Sequence, residues 1–240
     1  MMEIFRTILF QPLFNALIFF YNLTGGSLGV AVILLTASIR VLFFPLFHKS
    51  LKSQMALSKL QPELEKIKKK YPKKDEQMRK IMEFYKEKKI NPMSGCLPIL
   101  IQLPILIALY QVFLYGFDPG QLSIVYPFLA RPESIDPVFL NLINLSQKNF
   151  ILAALAGISQ FWQAKMITPQ SAGAAQGSRL DFAGMMSRQM LYLGPFLTLF
   201  ILMSLPSVVA IYWLVSNIIS ILQQYLVKSN LAAVADRGAQ

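Results

Sequence analysis

Apolar positions along this chain gather into long runs, separated by polar stretches of very different character. A membrane-crossing helix needs about 20 mostly apolar residues. Five runs meet that length, at 28–47, 97–117, 150–167, 187–205 and 206–227. With their flanks they set predicted spans at 27–48, 96–117, 150–167, 187–205 and 206–227. The last two adjoin at "SLPSVV", where Pro206 breaks a continuous helix and allows a tight hairpin. Pro45, Pro98 and Pro104 fall in or beside spans, where neighbouring helices can satisfy the carbonyls a proline frees. The pattern predicts an all-α polytopic membrane protein.

Two further segments have their own pattern. Residues 1–26 are apolar but interrupted by Arg6, Gln11, Pro12 and Asn15, which makes them an inferior span. Glu3 offsets Arg6 and no small-x-small cleavage site follows, so a signal peptide is a poor description. They read as an interfacial amphipathic helix at the extracytoplasmic face, with a sixth span as the alternative. Residues 49–95 are different again. Leu60, Leu64, Ile67 and Tyr71 make one helical stripe, and Met78, Ile81, Met82 and Tyr85 a second. "YPKKD" lies between them, with Pro72 stopping the first helix and Asp75 placed to cap the next. The expectation is a cytoplasmic helical hairpin.

Charge turns these elements into a topology. The 240 residues carry 23 Lys+Arg against 12 Asp+Glu, a net charge of +11. Yet 55% of them are hydrophobic and the mean hydropathy is +0.49, so the cations are concentrated outside the apolar runs. Residues 48–96 carry 14 Lys/Arg, while 118–149 carry Arg131 and Lys148 alone. The connection at 168–186 is basic through Arg179, with Lys165 and Arg188 beside it, and the tail at 228–240 has Lys228 and Arg237. The positive-inside bias puts 49–95, 168–186 and the C-terminus in the cytoplasm, and 118–149 and the N-terminus outside. Lys66, Lys69, Lys73, Lys74, Arg79 and Lys80 of the hairpin form either a solvated face beside anionic lipid or a docking surface for a partner.

Arg40 is the one charge in the run 28–47, and a guanidinium cannot shed its proton. A central arginine costs roughly 2.5–3.5 kcal/mol on insertion scales. It lies seven residues before Phe47, about 10 Å from the inner end of the run, so snorkelling covers much of the distance. The competing reading is a water-filled cavity open to the cytoplasm. The third span carries Ser159, Gln160 and Gln163; the fifth carries Tyr212, Trp213, Ser216, Asn217, Ser220, Gln223 and Gln224 at helical spacing. Facing lipid, these groups would be costly, so some face protein or water. Helix–helix adhesion explains part of the set. A shared hydrophilic pocket explains both the set and the cation.

The five apolar runs contain no Asp, Glu or His, which argues against ion-coupled transport. His48 is the chain's one histidine and Cys96 its one cysteine, so no internal disulfide forms. There is no Ser/His/Asp set, phosphate-binding GxxxxGK[ST], HExxH or metal-spaced Cys/His cluster, and "GAAQG" at 173–177 sits in a polar loop. These patterns favour a non-enzyme that needs no cofactor. A small-solute transporter or channel is the alternative function, and solute flux in proteoliposomes discriminates it.

"GGSLGVAVILLTASIRVLFFPLFHKSLKSQMALSKLQPELEKIKKKY", "NPMSGCLPILIQLPILIALYQVF" and "LPSVVAIYWLVSNIISILQQYL" occur in that order. Together they closely resemble the YidC family of bacterial membrane protein insertases, from about Leu13 to Leu226. The resemblance implies five core helices around a hydrophilic groove open to cytoplasm and lipid. Its positive charge carries over to Arg40, its third-span glutamine to Gln163 or Gln160, and its aromatic position to Trp213 with Tyr212 adjacent; Asn217 lies one turn on. The implied clients are nascent membrane proteins. Candidate partners are the Sec translocon, the ribosome, the signal recognition particle receptor and anionic lipid, with no specific nucleic-acid motif. The large extracytoplasmic domain and lipoprotein-type leader of some members do not match segments of this sequence, and the short tail leaves the hairpin as the docking element. The implied location is the bacterial inner membrane.

Overall fold

The computed structural model describes residues 2–88, 91, 97–115, 124–167 and 182–237. It is mostly helical, with ten α-helices and one two-stranded hairpin among the described residues. Residues 92–96 of the "NPMSGCLP" motif, Cys96 among them, and Arg179 and the "GAAQG" loop lie outside that description.

The leading segment forms α1 (Met2–Phe5), a π-helical turn (Arg6–Phe10) and α2 (Gln11–Leu23) in direct succession. Pro12 has no N–H for the carbonyl four residues back, which accounts for the wider turn immediately before it. Phe10, Phe14, Leu17, Ile18 and Tyr21 make one buried face. They join the main core with α3. Residues Glu3–Leu23 are long and apolar enough to cross a membrane. An interfacial helix was expected here; the structure shows a spanning-length helix packed along its neighbour. The turn into α3 uses Gly25 and Gly26 at φ +66° and +90°, conformations that an L side chain resists.

The expected span at 27–48 is broken. α3 (Leu28–Leu42) ends at Phe43, and α4 (Phe44–Lys59) leaves at 70°. Pro45 causes the break: it lacks the N–H for the Val41 carbonyl, and its ring clashes with that carbonyl in a continuous helix. Accordingly Pro45 sits in the first turn of α4, where its missing donor costs nothing. α3 is left about 22 Å long, with Arg40 in its last turn. A cation there is favoured by the carbonyl end of the helix.

α5 (Gln61–Lys70) and α6 (Lys74–Glu87) form the basic hairpin. Tyr71 is extended, as a residue before proline prefers. Asp75 does not cap α6: Lys73 holds that position, and Asp75 lies in the first turn, where its charge suits the helix dipole. Gln77 closes the turn instead, its Nε2 donating to the carbonyls of Lys68 (3.0 Å) and Tyr71 (3.2 Å). Leu64 is buried, but Met78 and Met82 are exposed, since two short helices bury only a narrow seam.

α7 (Leu97–Tyr115), α8 (Phe150–Ile167), α9 (Phe182–Leu202) and α10 (Ser207–Arg237) complete the bundle. α10 is the axis, packing against α8, α3, α7 and α4, and it runs ten residues past the expected span end. By length and composition Phe150–Ile167 and Ser207–Ser229 suffice to cross a membrane, and α3 with α4 makes a fourth, bent candidate. Before α8, β1 (Val138–Phe139) pairs antiparallel with β2 (Ile143–Asn144).

Candidate functional site

Arg40 faces α10. Its Nε donates to Ser216 Oγ at 3.1 Å, and Nη2 reaches the same hydroxyl. The guanidinium carbon lies 4.4 Å from the ring centroid of Phe47, in the first turn of α4. Arg40 is 9% exposed. Hydroxyl and ring are weak replacements for water around a permanent cation, and among the described residues no carboxylate pairs with it. An open recess at this cation was expected, but Phe47 covers it. The cover follows from the bend at Phe43, which folds α4 back toward Arg40.

The polar stripe of α10 divides by face. Tyr212 and Ser216 look toward α7 and α3: the Tyr212 hydroxyl accepts from Gln102 Nε2. Trp213 and Asn217 look toward α8. Trp213 Nε1 donates to Gln160 Oε1 at 2.8 Å, and Asn217 Nδ2 donates to the Ala156 carbonyl (3.1 Å) and Ser159 Oγ (2.9 Å). The amide of Gln160 also lies against Gly194 of α9, whose Cβ position is 3.5 Å from Nε2. Gln160, not Gln163, therefore meets the aromatic; Gln163 is half-buried three residues further along α8. Asn217 makes interhelical bonds of the adhesive kind.

Further along α10 the stripe runs out of partners. Gln223 and Gln224 are buried, the second at 1% exposure. Gln223 Nε2, Gln224 Nε2 and Gln224 Oε1 have no hydrogen-bond partner among the described residues. A buried polar atom left unmet costs about 1–3 kcal/mol, so these amides mark a place where water or another chain is wanted. One turn on, Val227 packs with Leu51 and Met55 of α4. Thus α4 touches α10 beside both the cation and the orphaned amides.

Gln102 was missed by sequence reasoning, although it is one of two amides, with Gln111, in the apolar run from Leu97 to Tyr115 and so a visible signal. Phe47 was missed because its role exists only after the bend. A separate apolar cleft lies between α8 and α9, lined by Ala154, Gly157, Ile158, Phe161, Pro195 and Leu199. It does not touch the polar stripe.

The hairpin residues are dispersed. Lys66, Lys69 and Lys73 are exposed. The Lys74 side chain lies outside the described residues. Arg79 and Lys80 both pair with Glu83, at 3.8 and 2.7 Å. The hydrogen bond holds Glu83 below its ordinary pKa and Lys80 above its own. Lys88 and Glu63 bridge the two arms at 3.2 Å. Lys66, Lys69 and Lys73 take no part in these pairs and are available to anions.

The model of the family described as 60Kd inner membrane protein matches residues 19–234. The membrane protein insertase YidC of Fusobacterium nucleatum is 36% identical over 204 residues, covering 84% of this chain and 86% of its own. The YidC of Geobacter sulfurreducens is 32% identical over 225 residues, 92% of this chain but 37% of its own. That of Lawsonia intracellularis is 36% identical over 91% of this chain and 38% of its own. The chain thus spans little more than a third of the length of several relatives. An active YidC insertase crystal structure with the first transmembrane domain resolved matches with a TM-score of 0.59 and 27% identity, over 91% of this chain and 46% of that one. These matches and the apolar helices make this a multi-pass bacterial membrane protein, and the chain belongs to the 60Kd inner membrane protein family.

Proposed function

We propose that this chain is a membrane protein insertase in which Arg40 attracts a hydrophilic, often acidic client segment into the bundle. The observation that carries the reading is a permanent cation held by one hydroxyl and one ring. Nothing in that arrangement neutralises the charge, so an incoming carboxylate meets it undiminished. At an effective dielectric of about 20, a carboxylate about 8 Å away gains roughly 2 kcal/mol.

The path runs along α10, past Gln223 and Gln224 to Ser216 and Arg40, then to Tyr212 and Trp213. The unpartnered amides offer hydrogen bonds to water or to client backbone, which lowers the cost of bringing polar groups into the bundle. Entry requires Phe47 and the apolar contacts of α4 to yield. The adjoining client helix then leaves into lipid, driven by apolar burial worth about 25 cal/mol per Å². No nucleotide takes part in this scheme. The basic hairpin serves the cytoplasmic side, where Lys66, Lys69 and Lys73 dock anionic lipid, a ribosome, the signal recognition particle receptor or the Sec translocon. The C-terminus lies in the cytoplasm.

The test is insertion of a single-span client with an acidic translocated segment into proteoliposomes. Wild-type protein inserts it, Arg40→Ala does so poorly, and Arg40→Lys retains more. Equal insertion by Arg40→Ala, or solute flux through the empty protein, would overturn the reading.

A further inference from the structure

At the opposite end of the bundle from the basic hairpin, residues 124–149 are stitched to the helix ends. Asn15 Nδ2 donates to the Ile124 carbonyl, and the Tyr126 N–H donates to Asn15 Oδ1 at 2.6 Å. Asn22 Nδ2 donates to the Ala130 carbonyl at 2.7 Å, and the Asp136 N–H donates to the Tyr21 hydroxyl at 2.9 Å. The N–H groups of Ser207 and Val208, which open α10, donate to the carbonyls of Gln147 and Leu145. Phe139 lies on Gly29, the second residue of α3, so closely that a Cβ there would clash with its ring. The β1–β2 hairpin is therefore level with the ends of three apolar helices.

Ile143 also packs on the core, whereas Val138, Leu140 and Leu142 point away from that support. Leu142 is 83% exposed, and Leu140 and Val138 are exposed as well. Leu140 and Asn141 adopt φ +53° and +55°. A branched apolar side chain seldom takes this left-handed conformation, and here it places leucines on both shoulders of a turn closed by the Leu142 N–H and the Phe139 carbonyl. Phe128, in the same segment, is 80% exposed. No charged residue occurs between Pro137 and Gln147. Phe150 and Ile151, the first residues of spanning-length helix α8, are exposed as well.

We propose that the β1–β2 hairpin is a membrane-surface anchor, with Leu140, Leu142 and Phe128 seated in the headgroup–acyl boundary of the bilayer. The partner is lipid because the patch lies level with the ends of helices long and apolar enough to cross a membrane, Glu3–Leu23 and Ser207–Ser229. Exposed apolar side chains beside a spanning helix gain by entering that boundary. The anchor also holds Phe139 over Gly29, closing this end of α3.

The experiment uses the full chain with Cys96 replaced by serine, carrying single cysteines at Leu140, Leu142 or Phe128 and labelled with an environment-sensitive fluorophore. The protein is reconstituted in phosphatidylcholine–phosphatidylglycerol vesicles. Quenching is measured with acyl-brominated lipid and with aqueous iodide, taking Ile151 as the lipid-facing reference and Ser134 as the aqueous one. The anchor predicts brominated-lipid quenching within about twofold of that at Ile151 and iodide quenching at least about threefold below Ser134. Iodide quenching equal to that at Ser134 overturns it. Protection from both quenchers, the mark of a covering protein surface, overturns it too. The three reporters are independent, so failure of one variant to fold leaves two readings.

Discussion

Arg40 and Ser216 are bound across the bundle from the last turn of α3 to the middle of α10, Nε to Oγ at 3.1 Å. They are 176 residues apart in the chain, and the bond fixes where the buried cation points. Removing the hydroxyl leaves the guanidinium without that acceptor. A hydrogen bond to a charged group contributes about 1.5–3 kcal/mol, so Ser216→Ala is expected to destabilise the protein by that amount. Thermal unfolding in detergent measures it, and Ser216→Thr is expected to recover most of the loss.

Substitution of Arg40 itself separates charge from shape. Arg40→Ala removes an attraction of roughly 2 kcal/mol, about 30-fold in the occupancy of an acidic segment. Arg40→Lys keeps the charge but loses the fork and its grip on one hydroxyl, so its defect is expected to be smaller. Parallel insertion assays with acidic and neutralised versions of one client read the difference. The gap between the two clients shrinks with Arg40→Ala and persists with Arg40→Lys.

The cover over the cation is movable in this account. Leu51, Met55 and Val227 hold α4 against α10. A short bifunctional crosslink between cysteines at Met55 and Val227, in a chain with Cys96 replaced, is expected to abolish insertion at least about tenfold. A cleavable linker restores it on reduction. Insertion at the normal rate by the crosslinked protein means that clients do not pass beneath α4.

Phe139 and Gly29 offer a steric test of the far end. A Cβ at Gly29 meets the ring too closely for ordinary contact. Overpacking of this kind costs about 1–3 kcal/mol, so Gly29→Ala is expected to lower stability by that amount. In a Phe139→Leu background the same change is expected to cost much less, and the coupling in the double-mutant cycle is the readout.

Much of this was legible in the sequence, for identifiable reasons. Arg40 stood out because a charge inside an apolar run is rare, and Tyr212, Trp213, Ser216 and Asn217 because a helix repeats every 3.6 residues. Proline positions pointed to breaks, yet the consequence of Pro45 was read as tolerance within a span, whereas the helix actually ends at Phe43 and turns by 70°. Phe47 could not be placed over Arg40 without that angle. The bond between Gln102 and Tyr212 joins residues 110 apart, and the seat of Phe139 on Gly29 joins residues as remote; neither leaves a periodic signal. Residues 1–26 were read as interrupted because Arg6, Gln11 and Asn15 look out of place in a span. Asn15 is in fact buried and bonded to Ile124 and Tyr126, so its polarity is spent inside the protein. Asp75 looked like a cap because its residue type favours one, but Gln77 meets the open carbonyls of the turn.

The hairpin gives a charge prediction with a pH sign. Replacing Lys66, Lys69 and Lys73 by glutamine is expected to weaken binding to anionic vesicles by about 1 kcal/mol per residue at low salt, and by less as salt screens the surface. The Lys80–Glu83 pair responds differently. Glu83 is shifted down, so its contribution holds above the ordinary glutamate range and is lost as acid protonates it; Lys80 is shifted up, so its contribution holds below the ordinary lysine range and is lost in strong alkali. Between those limits hairpin stability is expected to be flat, and since both groups are fully exposed the change at either end is small. Hydrogen exchange of α6 against pH measures it.

The most direct measurement of the central claim is photocrosslinking from position 47 to a ribosome-stalled client, with benzoylphenylalanine keeping an aromatic ring over Arg40. Adducts with the client's hydrophilic segment during insertion, lost when that segment is released, are the predicted result. Adducts to lipid alone while the client inserts at the normal rate would contradict a passage beside the buried cation.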